Sequence, residues 1–155
     1  MKVSVYVDGS GGTNSGYGYF VKETGESFYE KKTDITNNQA EYMAIISALK
    51  KYVGSNDEVT IYSDSKNTVN QLNHEFAINN EQLRDLARQA WEIIGKFSNV
   101  SIVWIPRRDN LAGKMLGSSV LPKFKISLRN NFITQSLGFN LTWQNLYFYH
   151  QNQLQ

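Results

Sequence analysis

The chain has no cysteine, which excludes disulfides and zinc sites built on thiolates. In that setting the Asn-x-Ser/Thr triplets at Asn99 and Asn140 carry no weight as glycosylation sites. No apolar run approaches the length that spans a bilayer. The N-terminus reads as a strand with no apolar signal segment, so a cytoplasmic location is expected. There is no internal repeat and no sign of a second domain. Acidic residues stop at Asp109: all 14 lie in residues 1–109, whereas residues 110–155 carry Lys114, Lys123, Lys125 and Arg129 and no acid. A net charge of +2 names no partner. The basic end either contacts phosphates or is a solvated, Asn/Gln-rich tail.

What is present fits a single domain. The 155 residues, 41% hydrophobic and 19% charged, suffice for a sizeable core. Val3, Val5 and Val7 alternate with polar neighbours and predict a strand with one buried face. Glycines at 11, 12, 16 and 18 and Asn14 supply turn chemistry before a second strand at 17–21. Thr24-Gly25-Glu26 turns the chain into a third strand at 27–33, giving an antiparallel meander. Thr36 and Gln39 form a capping-box pattern ahead of a helix with Met43, Ile46, Ala48, Leu49 and Val53 on its apolar side. A fourth strand at 58–63 follows that crossover and is expected parallel to the first. Helices are expected at 66–72 and 81–97, and a fifth strand at 101–105, stopped by Pro106. Later signals are weaker: helical turns at 111–116, strand-like alternation at Phe124, Ile126 and Leu128, and a helix turn near 132–137. Residues 119–155 read as a basic, aromatic-containing extension packed on the same domain, with a dimer contact as the alternative.

Three acids stand out by context. Asp8 ends the first strand and precedes Gly9-Ser10-Gly11-Gly12. Glu41 follows the capping box, and Asp64 ends the fourth strand. Two strand-end aspartates and a helical glutamate can converge on a pair of cations, an arrangement suited to metal-dependent phosphodiester cleavage. Taken singly, each has a structural use as well: a turn or cap for the aspartates, and an exposed first-turn site stabilised by the helix dipole for Glu41.

The segments Tyr6-Val7-Asp8-Gly9-Ser10, Thr36-Asn37-Asn38-Gln39-Ala40-Glu41, Ile61-Tyr62-Ser63-Asp64-Ser65 and Val103-Trp104-Ile105-Pro106-Arg107-Arg108-Asp109-Asn110 occur in the order that resembles type 1 ribonuclease H. The resemblance covers residues 1 to about 117. It implies an α/β fold with a five-stranded mixed sheet, order 3-2-1-4-5, flanked by helices on both faces, with residues 1–118 as the catalytic domain. It implies endonucleolytic hydrolysis of the RNA strand of RNA/DNA hybrids, leaving 5′-phosphate ends, with two Mg²⁺ or Mn²⁺ ions. The stretch from Gln71 to Leu83 resembles the compact archaeal and bacterial branch, which lacks a basic protrusion. Ala77, Ile78 and Asn79 bring no positive charge there.

The sequence departs from the family where a fourth carboxylate is expected, four residues past the equivalent of Asn110. Here the stretch reads Asn110-Leu111-Ala112-Gly113-Lys114, and Gly113 or Lys114 falls at that place. The fourth ligand is then Asp109, the amide of Asn110, the C-terminal carboxylate or nothing. Asn110 is the candidate, with a helix cap as its other use. A lost negative ligand predicts a higher metal requirement and a lean toward Mn²⁺. The family's mobile-loop histidine is also missing, and His74 and His150 lie outside the motif. The alternative to an active enzyme is a catalytically weakened module that binds hybrids or double-stranded RNA.

Substrate candidates follow the same motifs. Gly11 and Gly12 allow close backbone approach. Asn14, Asn37, Asn38 and Gln39 offer groups to the minor groove and the 2′-hydroxyls. Ser65 and Lys66 follow Asp64 toward phosphate. Arg107 or Arg108 is expected to contact the scissile phosphate or to aid product release, with a solvated pair after the strand as the alternative. Trp104 is expected in the core.

Overall fold

A computed structural model describes residues 1–115. The strand and helix-turn signals expected between 116 and 155, and the extension they belong to, lie outside the described residues. The described chain forms one sheet in the order β3-β2-β1-β4-β5. Its strands are β1 (Lys2–Ser10), β2 (Gly16–Val21), β3 (Ser27–Lys31), β4 (Glu58–Ser63) and β5 (Val100–Trp104). β1, β2 and β3 form the expected antiparallel meander, while β4 runs parallel to β1, and β5 parallel to β4. The helices are α1 (Asn37–Tyr52), α2 (Lys66–Leu72), α3 (Glu81–Ile94) and the short α4 (Leu111–Met115), with a 3-10 turn at Arg107–Asp109. Among the described residues no helix is long and apolar enough to cross a membrane.

Side-chain alternation decides how the sheet is faced. Val3, Val5 and Val7 of β1 and Val59 and Ile61 of β4 are buried on one face and join a single core with α1 and α3. The β2–β3 turn closes through Gly25, at φ 73°, whose N–H donates to the Val21 carbonyl at 2.8 Å. That backbone conformation explains a glycine there.

α1 is buried over a wider arc than its sequence suggested. Ile46, Ala48 and Leu49 are buried as expected, and so are Ala40, Tyr42, Ala44 and Ile45, because the helix packs on β1 and β2 and also against α3. Its start is the predicted capping box. The Gln39 N–H donates to Thr36 Oγ1 at 3.1 Å, and the Thr36 N–H donates to Gln39 Oε1 at 2.8 Å, satisfying two otherwise free donors. α3 stops at Ile94, three residues short of the expected end, although Phe97 still packs on the core. The placement of Trp104 differs from expectation. It is 44% exposed, because it is the last residue of β5, an edge strand with no neighbour beyond it in the sheet.

Candidate active site

The strand register brings the two aspartates together. Tyr6 of β1 and Tyr62 of β4 are direct partners in the parallel pair, and their rings stack at 5.0 Å. Two residues further on come Asp8, within β1, and Asp64, the first residue past β4; the two-residue repeat of a strand returns Asp8 to that same side, and Asp64 meets it there. Val7 and Ser63, between them, are buried.

Glu41 arrives from a different element, and a glycine makes its approach possible. A Cβ at Gly9 would overlap the main-chain carbonyl group of Ala40. The end of β1 therefore touches the first turn of α1, and Glu41 stands next to Asp8. One carboxylate oxygen from each of Asp8, Glu41 and Asp64 lies within 4.8 Å of the others. Glu41 sits past the first turn, and its Oε2 is buried with no hydrogen-bond partner. The exposed first-turn role open to it in the sequence is thus not the one it has.

Such crowding raises proton affinity. Burial, followed by the charge of Asp64, pushes the Asp8 pKa up to about 6, with Arg107 and the Gly9 N–H pulling the other way. Burial, then Asp8 and Asp64, pushes Glu41 up to about 9, again opposed by Arg107 and Gly9. A buried orphan oxygen beside two more carboxylates is a hard, all-oxygen donor set. It fits a divalent cation such as Mg²⁺ or Mn²⁺.

Asn110 is fully buried and tied to this centre. Its Nδ2 donates to the Val7 carbonyl at 2.9 Å and to Asp64 Oδ2 at 3.1 Å, while Oδ1 accepts the Ala112 N–H at 3.0 Å. The Val7 carbonyl can only accept, which fixes the orientation of the amide. The nitrogen therefore faces the carboxylates, and the oxygen that would ligate a cation is occupied at the start of α4. Of the two positions left open for the missing acid, Gly113 is the one beside the centre: a Cβ there would stand 3.9 Å from Asp8 Oδ2.

The other candidates frame the carboxylates to different degrees. The Gly11 N–H donates to Asn37 Oδ1 at 2.7 Å, and the Gly12 N–H to the Ile35 carbonyl at 3.2 Å, so this loop is fastened to the start of α1. Gly12, Asn14, Asn37 and Asn38 are exposed. The Gln39 side chain is divided between the cap and a 2.8 Å bond from its Nε2 to Gln82 Oε1 of α3. The Ser65 hydroxyl bonds that of Thr68 at 2.8 Å. Arg107 acts electrically on both Asp8 and Glu41, whereas Arg108 stands 3.9 Å from its neighbour Asp109. Two participants were missed from sequence: Gly9, whose signal was its place directly after Asp8, and Trp104, whose indole N–H donates to the Asp64 carbonyl at 3.2 Å.

Known proteins resemble this chain in sequence and in fold. Residues 22–120 match the family described as reverse transcriptase-like. The EbsB protein of Enterococcus faecalis is 27% identical over 128 residues, covering 77% of this chain and 94% of that one. A ribonuclease H of Acetivibrio thermocellus is 34% identical over 124 residues, covering 67% of this chain and 80% of that one. Among solved structures, the N-terminal RNase H domain of a Mycobacterium tuberculosis protein superposes with a TM-score of 0.67 at 28% identity, covering 75% of this chain and 90% of that one. By this family match and these relatives, the chain belongs to the ribonuclease H family.

Proposed function

We propose that the chain is a metal-dependent endoribonuclease that hydrolyses the RNA strand of RNA/DNA hybrids, leaving 5′-phosphate ends. The observation that carries this reading is the meeting of Asp8, Glu41 and Asp64 around a buried, unpartnered Glu41 oxygen. Asp8, Glu41 and Asp64 would hold two divalent ions, Mg²⁺ or Mn²⁺. When bound, such a pair neutralises charge on the phosphoryl oxygens and acidifies the attacking water. The chain's own residues do the rest. Asn110 acts as a positioning residue: through Nδ2 it holds Asp64 against the end of β1. Arg107 partly offsets the acidic charge and meets the scissile phosphate. Gly11, Gly12, Asn14, Asn37 and Asn38 line one flank, where main-chain and amide groups distinguish RNA from DNA through the 2′-hydroxyl. Gln39, Ser65 and Arg108 complete that contact set. The place of action in this reading is the cytoplasm.

With Gly113 where a fourth acid would stand, the same reading includes a raised metal requirement. The experiment incubates the chain with labelled RNA/DNA hybrid, double-stranded RNA and duplex DNA, each with Mg²⁺ and Mn²⁺. Cleavage of the hybrid's RNA strand alone, reduced about a thousandfold by Asp64→Asn, is expected. Hybrid binding without cleavage under any metal would favour a binding module. Cleavage that survives Asp64→Asn would place the chemistry elsewhere.

A further inference from the structure

The sheet edge that carries the carboxylates continues beyond them. β5 lies beside β4, and its last residue, Trp104, pairs in register with Ser63, the residue before Asp64. Trp104 is 44% exposed, yet its indole is held in place. Its N–H donates to the Asp64 carbonyl, and Lys66 Nζ stands 5.9 Å from the ring centroid. Lys66 opens α2, is exposed, and forms no salt bridge among the described residues. A cation with no acidic partner among the described residues thus sits over an aromatic ring that is bonded to the main chain of Asp64.

We infer that Trp104 and Lys66 form a nucleotide-binding subsite beside Asp64, the exposed indole stacking on the base or sugar of one nucleotide and the ammonium meeting its phosphate. The inference rests on the nuclease reading above and adds a flank to it. The Gly11–Asn14 loop and the start of α1 hold one side of the carboxylates; the end of β5 and the start of α2 hold the other. A pinned aromatic ring loses little freedom when a nucleotide settles on it. Stacking of this kind tolerates any base, as suits an enzyme that reads strand type rather than sequence. The neighbouring ammonium is a counter-charge for a phosphate that would otherwise approach three carboxylates unaided.

The test uses the full chain made inactive by Asp8→Asn, with binding of a labelled RNA/DNA hybrid followed by fluorescence anisotropy at several salt concentrations. Trp104→Leu is expected to weaken binding about 5- to 100-fold at every salt concentration. Trp104→Phe keeps the ring but loses the N–H, and stays within about threefold of the parent. Lys66→Gln lowers the slope of log affinity against log salt by about 1, while Lys66→Arg keeps it. Equal losses for Leu and Phe would show that the indole serves only to hold Asp64, and an unchanged slope for Lys66→Gln would remove the phosphate contact; either overturns the subsite. If Trp104→Leu melts early, the two lysine variants decide through the slope. A parent chain that fails to bind hybrid at all overturns the nuclease reading, whereas a binding parent with indifferent variants overturns the subsite alone.

Discussion

At the scale of single residues, the centre is a cluster of groups that would rather not all be charged. Glu41 is raised from its ordinary value to about 9 and Asp8 to about 6. In each case the folded chain binds the proton more tightly than the unfolded chain does. Between roughly pH 4 and 9 the folded state therefore holds protons the unfolded state has released, and stability falls as pH rises through that window. Metal-free protein in chelator should melt progressively lower from pH 5 to pH 9. Glu41→Gln should flatten the profile, and added Mn²⁺ should restore the melting temperature at the alkaline end. A melting profile indifferent to pH in both chains would refute the crowding. Gly113→Asp tests the vacant fourth position: a carboxylate carried there, beside Asp8, should lower the Mg²⁺ or Mn²⁺ concentration for half-maximal cleavage about tenfold, as read by metal titration. Asp8, Glu41 and Asp64 were legible because each sits in an ordered local pattern whose direction is fixed by strand alternation or by a cap. Asn110 was only half legible, because which atom of a buried amide faces inward depends on the Val7 carbonyl, 103 residues away.

At the scale of elements, the contact between the end of β1 and the start of α1 sets the spacing of Asp8 and Glu41. Gly9→Ala would drive a methyl group into the Ala40 carbonyl and force strand and helix apart. The expected cost is about 2–3 kcal/mol by chemical denaturation, with a larger fall in hybrid cleavage than the lost stability explains. Equal stability and full activity would mean that this junction can give way. The limits of β4 and α2 were read well because turn and cap residues bracket them. The buried face of α1 was read less well, because seven of its 16 residues are buried where the helix packs on β1 and β2 and also against α3, a tertiary effect with no local period. Trp104 failed as a core expectation for a related reason: hydrophobic size signals burial only where a neighbour covers the strand, and β5 has none beyond it in the sheet.

At the scale of the whole molecule, a chain of net charge +2 must receive a polyanion at its most acidic point. Without divalent ions whichever of these carboxylates remain ionised oppose the phosphates. Chelator should weaken hybrid binding by the native chain about tenfold and should weaken it far less for Asp64→Asn, which already lacks one of those charges. Anisotropy in EDTA checks this; equal sensitivity in both chains would detach binding from the acidic centre. Composition alone pointed to none of this, because the balance of charges is ordinary and only their placement is not.

The stacked tyrosine pair under the aspartates carries one more implication. Because β1 and β4 align Tyr6 with Tyr62, sliding one strand by a single residue would turn Asp8 into the apolar layer and Val7 out of it. Misaligned chains would thus lose their dry interior and their cation trap in the same step. Catalytic competence and correct assembly become a single all-or-none property, so specific activity in any preparation should report directly on the fraction of chains that have folded true.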